Sequence, residues 1–354
     1  MHTSDDPPQI HVFDLPQIYT RPSPDVLLQT LNDLAIKPIS WDVLLHRESL
    51  AGATNINEDG IPKYLTSIIA SRLAWIDDED VREQIWELAS SRLCERSGRA
   101  ALPPISRSFS IPTMTDPAGP TVTITLYEPS LTADNLGLKT WASSYLLSKR
   151  LAGLSAYCPT SNHSDSASQL DLNRSLPQKS VLELGAGTGL VGISAAAVWG
   201  VHVHLTDLPT IVPNLSSNIT ANAAALSASG GVATSDVLDW SVLPSEQLQP
   251  SRKYGIILAA DPLYSPEHPR LLVQTITRCL ATEISARVVV ELPLREAYMA
   301  EIEDLNTRMV EAGLRLLVHG EEVGYDDWAG GKGSSGLKEV KCWWGIWGWK
   351  DAYV

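Results

Sequence analysis

Between Val181 and Leu190 the chain runs Val-Leu-Glu-Leu-Gly-Ala-Gly-Thr-Gly-Leu, and no other stretch restricts the possible folds as much. A short apolar strand here meets alternating glycines and then the small-residue segment Val191 to Trp199, which reads as a helix. Glycines at such a bend let the backbone turn sharply and let a ligand approach it closely. The texture then repeats: Val201–Leu205 as strand, Ile211–Leu226 as helix, Ile256–Ala260 as strand, Leu271–Leu280 as helix, Val288–Val290 as strand and Ala297–Val310 as helix. Strand–helix alternation of this kind predicts a mainly parallel sheet covered by helices on both faces.

The two ends of the chain depart from that pattern. Leu314–Val318 and Val340–Trp349 read as strands joined only by a loop that includes the Gly-rich run Gly330 to Gly336, which predicts an antiparallel hairpin at the C-terminus. Before the alternating region, Val122, Ile124 and Leu126 alternate with polar residues. A Pro/Gly turn separates them from a short strand at Phe109–Ile111, so a hairpin is expected, followed by a helix from Thr140 to Leu151. Residues 158–178 are rich in Ser, Asn and Asp and read as a loop insertion. The first hundred residues show only helical periods: Leu27, Leu31 and Leu34; Leu65, Ile68, Ile69 and Leu73; Val81, Ile85, Leu88 and Ala89. The expected organisation is a helical module over 1–105 and an α/β domain over 106–354.

Two ligand classes use a glycine bend at a strand end. Gly187-Thr188-Gly189-Leu190-Val191-Gly192 fits the dinucleotide pattern G-x-G-x-x-G, whose pyrophosphate lies on the helix N-terminus. Glu183, two residues before the first glycine, favours the other class. A carboxylate repels a pyrophosphate and attracts a cationic amino-acid moiety. Asp207, at the end of the next strand, suits two ribose hydroxyls under either reading. Asp261-Pro262-Leu263-Tyr264 follows the strand Ile256–Ala260 and is expected to face the same crevice, with Ser265-Pro266-Glu267 as a helix start.

Composition removes several function classes. Lys and Arg number 27 against 41 Asp and Glu, a net charge of −14, which offers no overall attraction for nucleic acid or an anionic membrane. The four cysteines form no CxxC pair, so neither a zinc ribbon nor a disulfide framework is expected. The start MHTSDDPPQI lacks a signal-peptide pattern, and the apolar stretch Val181–Leu205 is interrupted by Glu183, five glycines and two histidines. A soluble protein of the cytoplasm is expected, with the nucleus as second compartment. His202 and His204 share a strand face without a third ligand, so no metal is expected. Trp343, Trp344, Trp347 and Trp349 read as core and interface packing of the hairpin ahead of an aromatic platform for bases, and Glu291 as a strand-end residue at the rim ahead of one that reaches the substrate pocket.

Taken in order, Asn135-Leu136-Gly137-Leu138-Lys139-Thr140-Trp141, the Glu-x-Gly-x-Gly-x-Gly run, Thr206-Asp207-Leu208-Pro209, Asp239-Trp240 and Asp-Pro-Leu-Tyr resemble the eukaryotic family 16 methyltransferases, many of them protein-lysine methyltransferases. The resemblance spans roughly Ser106 to Val354. The N-terminal helices are similar to those of fungal members that methylate translation elongation factor 2. The resemblance implies a Rossmann-like seven-strand sheet and S-adenosyl-L-methionine as cofactor. It implies that Glu183, Gly185, Ala186, Gly187 and Gly189 cradle the methionine part, that Asp207 takes the ribose and that Leu208 packs on the adenine. Asp239 and Trp240 would sit at the adenine's rim, and Trp141 and Ala260 would complete the cofactor wall. Asp261 and Tyr264 would receive the target lysine of a protein substrate, a translation elongation factor. The loop with Lys332 is long for the family and is expected to touch substrate.

Three rival readings are distinguishable. A nicotinamide oxidoreductase explains the glycines and Asp207 but leaves Glu183, Trp141 and Asp-Pro-Leu-Tyr without a task. A nucleic-acid amino-methyltransferase shares an Asp-Pro-Pro-Tyr motif that accepts a flipped base, against which stand Leu263 and the net negative charge. A non-catalytic binder would keep the fold with a vestigial site.

Overall fold

A computed structural model describes residues 10–35, 41, 60–96, 104–116, 118–130, 136–155, 180–242, 253–326 and 338–350. The insertion at 158–178, Asn135 and the Gly330–Gly336 loop lie outside these residues. The chain divides into two compact units, one made of residues 1–105 with 129–134 and 330–335, the other of 106–128, 135–329 and 336–354, which carries the sheet.

In the first unit, α1 (Pro24–Asp33), α2 (Ile61–Ala70) and α3 (Glu79–Cys94) bury Leu27, Leu31, Leu65, Ile68, Ile85 and Ala89 completely. These are the stripes that the helical periods predict. Leu73 is an exception. It was expected to extend the stripe of α2, but the helix ends at Ala70 and Leu73 turns into the left-handed region (φ 49°) while staying buried. The Ser71 hydroxyl accepts from the Leu73 amide at 3.2 Å, a local bond that competes with helix continuation. Asp78 caps α3 through the Val81 amide at 3.2 Å.

The second unit opens with the hairpin β1 (Ile105–Pro112) and β2 (Thr121–Glu128), which form their own two-stranded sheet. Helix α4 (Ala142–Leu154) follows, starting and ending slightly later than its apolar period suggests. Then come β3 (Val181–Leu184), α5 (Leu190–Trp199), β4 (His202–Asp207), α6 (Val212–Ala221), α7 (Ala223–Ser229) and β5 (Val232–Val237). The chain continues through β6 (Ile256–Ala260), α8 (His268–Cys279), β7 (Arg287–Pro293), α9 (Met299–Glu311), β8 (Leu314–Asp326) and β9 (Lys338–Trp349).

Among the described residues, seven strands make one sheet in the order β5-β4-β3-β6-β7-β9-β8. The first five are parallel, and β9 joins β7 and β8 antiparallel, so the expected parallel sheet with an antiparallel C-terminal hairpin is present. Strands β3 and β6 are buried at every position, as parallel strands covered on both faces must be. Strand β3 connects onward to β4 on one side and pairs with β6 on the other. Connections therefore diverge at the carboxyl ends of β3 and β6, the switch point at which doubly wound sheets place their ligand crevice.

Three elements differ from the sequence reading. Strand β5 lies at the sheet edge with a largely exposed surface and gives no apolar period to detect. The single helix expected over Ile211–Leu226 is broken at Asn222 because the hairpin docks there. The Asn218 and Asn222 side-chain oxygens accept from the Tyr127 and Thr125 amides at 2.8 and 2.9 Å, continuing the edge of β2 with side-chain amides. Strand β8 runs well past Val318, with Gly320 opposite Trp344 and Glu322 opposite Cys342.

Candidate functional site

Four segments converge on the crevice: the glycine bend after β3, the ends of β4 and β5, the turn after β6, and the segment leading into α4. The bend is fixed from below by backbone bonds. The Gly185 and Ala186 amides both donate to the Thr206 carbonyl at 3.0 Å. Gly185, Gly187 and Gly189 have φ of 69°, 58° and 94°, in the left-handed region where a Cβ is strained. A Cβ on Gly187 would also stand 3.1 Å from the Gly137 carbonyl oxygen. The segment before α4 thus lies directly on the bend, and the Thr140 and Thr188 hydroxyls meet at 2.9 Å.

Glu183 lies under the bend and is held there: Oε2 accepts from the Gly192 amide in the first turn of α5 at 2.8 Å, and the residue is buried. Burial pushes this carboxyl well above the usual carboxylate range, the Gly192 bond opposes the shift, and the nearby Asp207 adds to it. Asp207 is held by two amides, Gly187 to Oδ2 and Leu208 to Oδ1, each at 2.7 Å. Burial raises its pKa and both bonds oppose that rise. Leu208, beside it, leaves 46% of its surface exposed, an apolar face at the crevice rim.

Past β5, Asp239 accepts from the Ser241 amide and hydroxyl at 2.8 and 2.6 Å. The Trp240 ring then lies where a Cβ on Gly185 would touch it at 3.4 Å. From Trp240 a row of rings crosses the crevice. Trp240 meets His268 edge-on at 5.9 Å between centroids, His268 meets Tyr264 at 6.4 Å, and Tyr264 meets Trp141 at 6.3 Å. The Tyr264 amide donates to His268 Nδ1 at 3.0 Å, which fixes the turn after β6. Helix α8 begins at His268, slightly later than the Ser-Pro-Glu signal suggests.

Asp261 is buried and has a left-handed backbone (φ 49°), strained for a residue with a Cβ. Arg295, just after β7, places Nη2 3.3 Å from Asp261 Oδ2. Its guanidinium carbon is 5.1 Å from the Trp141 ring centre. Burial raises the Tyr264 phenol pKa well above its ordinary value, and the adjacent Asp261 carboxylate adds to the effect. Ala260 is buried at the end of β6, and Ala186 is buried within the bend.

The structure therefore gathers the expected residues into two groups. Glu183, Gly185, Ala186, Gly187, Gly189, Asp207, Leu208, Asp239 and Trp240 surround the bend, while Asp261, Tyr264 and Trp141 form a second group with Arg295. Trp141 is placed beside Tyr264 and Arg295, on the Asp261 side of the crevice. Sequence reasoning missed His268 and Arg295. His268 follows the quoted motif by a few residues, whereas Arg295 carries no local pattern and is brought in only by the pairing of β6 with β7.

Other candidates resolve into packing. His204 is buried between the Tyr254 hydroxyl at 2.5 Å and Asp236 at 2.8 Å. Among the described residues no group of His, Cys, Asp and Glu is arranged to hold a metal, and no helix is long and apolar enough to cross a membrane. Trp347 is buried in the core and the Trp349 indole N–H donates to the Ala281 carbonyl at 2.7 Å. Glu291, expected at a strand rim, is fully buried.

The family described as lysine methyltransferase matches residues 123–303. The chain is 34% identical over 321 residues to protein-lysine N-methyltransferase EFM2 of Saccharomyces cerevisiae, covering 88% of this chain and 70% of that protein. It is 32% identical over 337 residues to protein-lysine N-methyltransferase rrg1 of Schizosaccharomyces pombe, covering 94% and 97%. A shorter match, 38% over 98 residues, joins it to EEF1A lysine methyltransferase 3 of Xenopus tropicalis, covering 28% of this chain and 40% of that protein.

Proposed function

The chain belongs to the lysine methyltransferase family, and from that premise we propose that its crevice binds S-adenosyl-L-methionine at the glycine bend and admits a protein lysine beside Asp261. The observation that carries this reading is the two-part crevice. A glycine cradle in the left-handed region, with a pinned carboxylate and an apolar rim, stands on one side. A buried carboxylate among aromatic rings stands on the other.

The residues at the bend fit the cofactor. Gly185 and Gly187 leave room for a close backbone approach, Asp207 offers carboxylate oxygens to ribose hydroxyls, and the exposed Leu208 offers an apolar face to adenine. Asp239 and Trp240 border that face. Glu183 holds the first turn of α5 against the bend, and a cation bound above it favours its ionised form. When bound, the cofactor supplies a methyl group on a sulfonium, an electrophile whose leaving group is a neutral thioether.

The remaining task falls to the second group. A free lysine, with a pKa of about 10.4, is almost wholly protonated at neutral pH and not nucleophilic. Desolvation among Trp141, Tyr264 and the buried turn favours the neutral amine, as burial does for any cation. Asp261 attracts and orients the incoming group and Tyr264 packs on its stem. Rate then comes mainly from holding the amine in line with the methyl group.

An elongation factor as target is supported by the name of the frog relative, and elongation factor 2 by the resemblance of the N-terminal helices to those of fungal members. Such a target is cytoplasmic, and the net charge of −14 disfavours direct binding to nucleic acid. The test is transfer of a radiolabelled methyl group into a lysate lacking this gene product, followed by mass spectrometry of the labelled band. Labelled lysine in an elongation factor is the expected result; label confined to RNA or to arginine overturns the substrate class.

A further inference from the structure

The second half of the crevice already contains a cation. Asp261 is buried, with its side chain 3% exposed, while the Arg295 side chain paired with it at 3.3 Å is 31% exposed, so the pair joins a buried carboxylate to a cation that reaches solvent. The same guanidinium lies over the Trp141 ring, and Trp141 in turn packs on Tyr264. A carboxylate beside an indole face is how proteins hold an ammonium group. The site proposed to receive lysine is thus filled by a side chain of the same protein.

Arg295 suits that place. Its guanidinium is planar and weakly hydrated, and it stacks on an aromatic ring while pairing with a carboxylate. Burying the Asp261 carboxylate is costly, and Arg295 offsets part of that cost alongside the hydrogen bond between Tyr264 and Asp261, so a resident cation helps keep the turn folded between substrates. A partly exposed ion pair and one cation–π contact are each modest, which leaves the resident replaceable.

We propose that Arg295 is the resident occupant of the lysine seat, and that the target ammonium enters by exchanging with it on Asp261 and Trp141. Arg295 then acts as a specificity-determining residue. A lysine presented by a docked protein substrate displaces it, whereas a free amine of similar chemistry does not. The inference rests on the reading of Asp261 as the substrate side of the crevice.

The experiment compares Arg295→Ala, Arg295→Gln and Asp261→Asn with the native enzyme. It measures KM and kcat on the protein substrate, S-adenosylhomocysteine affinity by calorimetry, and competitive inhibition by butylammonium. Removing the resident cation is expected to lower KM for the protein substrate about three- to tenfold, the scale of a half-exposed ion pair with a cation–π contact. The change appears in KM rather than kcat, and S-adenosylhomocysteine affinity stays within about twofold. Butylammonium, a weak inhibitor of the native enzyme, becomes a clear competitor of the protein substrate in both Arg295 variants. The glutamine variant decides the matter if the alanine variant folds poorly. A raised KM, or a fall in kcat at constant KM, in the Arg295 variants overturns the proposal, because Arg295 would then be holding the site together. Loss of S-adenosylhomocysteine binding in Asp261→Asn overturns the underlying reading and the inference with it. Retained binding in Asp261→Asn with no drop in KM in the Arg295 variants overturns the inference alone.

Discussion

Glu183 carries two opposed demands. Folding buries its carboxyl against the Gly192 amide and raises its pKa, while a bound sulfonium favours the ionised form. Glu183→Gln keeps the shape and removes the charge. It is expected to raise the melting temperature of the ligand-free protein at neutral pH and to reduce the further rise produced by the methyl donor more than that produced by S-adenosylhomocysteine, whose sulfur is neutral. Thermal shifts with and without ligand check both directions, and a variant with unchanged ligand stabilisation removes the charge argument. For Asp207, Asp207→Ala leaves the Gly187 and Leu208 amides without their acceptor and removes a charged partner worth about 1.5–3 kcal/mol. Cofactor affinity should fall roughly ten- to hundredfold in calorimetry. Both residues were visible in the sequence because each lies in the carboxyl end of a strand, close to glycine or a short turn. What Glu183 touches was not visible, since its partner Gly192 lies across the bend on the next helix.

At the level of elements, α4 is joined to the antiparallel side of the sheet through charge. Arg150 of α4 binds Glu322 of β8, lies 4.0 Å above the Trp344 ring of β9, and places Nε 3.9 Å from Glu291 of β7. Burial pushes the Glu291 carboxyl well above the usual range, and Glu322 reinforces this, against the opposing effect of Arg150. The folded protein therefore holds the Glu291 proton more tightly than the unfolded chain, whose glutamates titrate near about 4.3. That contribution to stability is fully present below the unfolded value and is lost as pH rises through the folded one. Glu291→Gln fixes the neutral form, so its melting temperature should exceed that of the native protein at pH 8, by about 2–4 °C for each kcal/mol gained, and the gap should close near pH 4. A gap independent of pH contradicts the assignment. The approach of α5 to the sheet has its own requirement. A Cβ on Gly192 would meet Glu183 Oε2 at 2.4 Å and Leu205 Cγ at 2.5 Å, so Gly192→Ala should destabilise by about 1–3 kcal/mol in urea unfolding. Gly192 was legible as part of a G-x-G-x-x-G match, and its structural use is the close helix–strand packing. Buried strands such as β3 and β6 announce themselves by composition. The exposed edge strand β5, the break at Asn222 and the length of β8 do not, because each is set by a neighbour distant in the chain.

For the molecule as a whole, charge is the property that sequence states most directly, and it bears on how a protein substrate arrives. A net charge of −14 attracts a basic segment at long range and repels a polyanion. The attraction is screened over about 10 Å at 0.1 M salt. The cofactor half of the crevice works over shorter distances, through the bonds at Asp207 and the apolar face of Leu208. The two steps should therefore separate under salt. Between about 50 and 300 mM, kcat/KM for the protein substrate is expected to fall severalfold as long-range attraction is screened. S-adenosylhomocysteine affinity should change by less than about twofold over the same range, and added RNA should not compete with the protein substrate. A kcat/KM that rises with salt would mean that the surface meeting the substrate is not acidic. Competition by RNA would instead locate a basic patch that the overall charge conceals, and the nucleic-acid reading of Asp-Pro-Leu-Tyr would then have a binding surface to rest on.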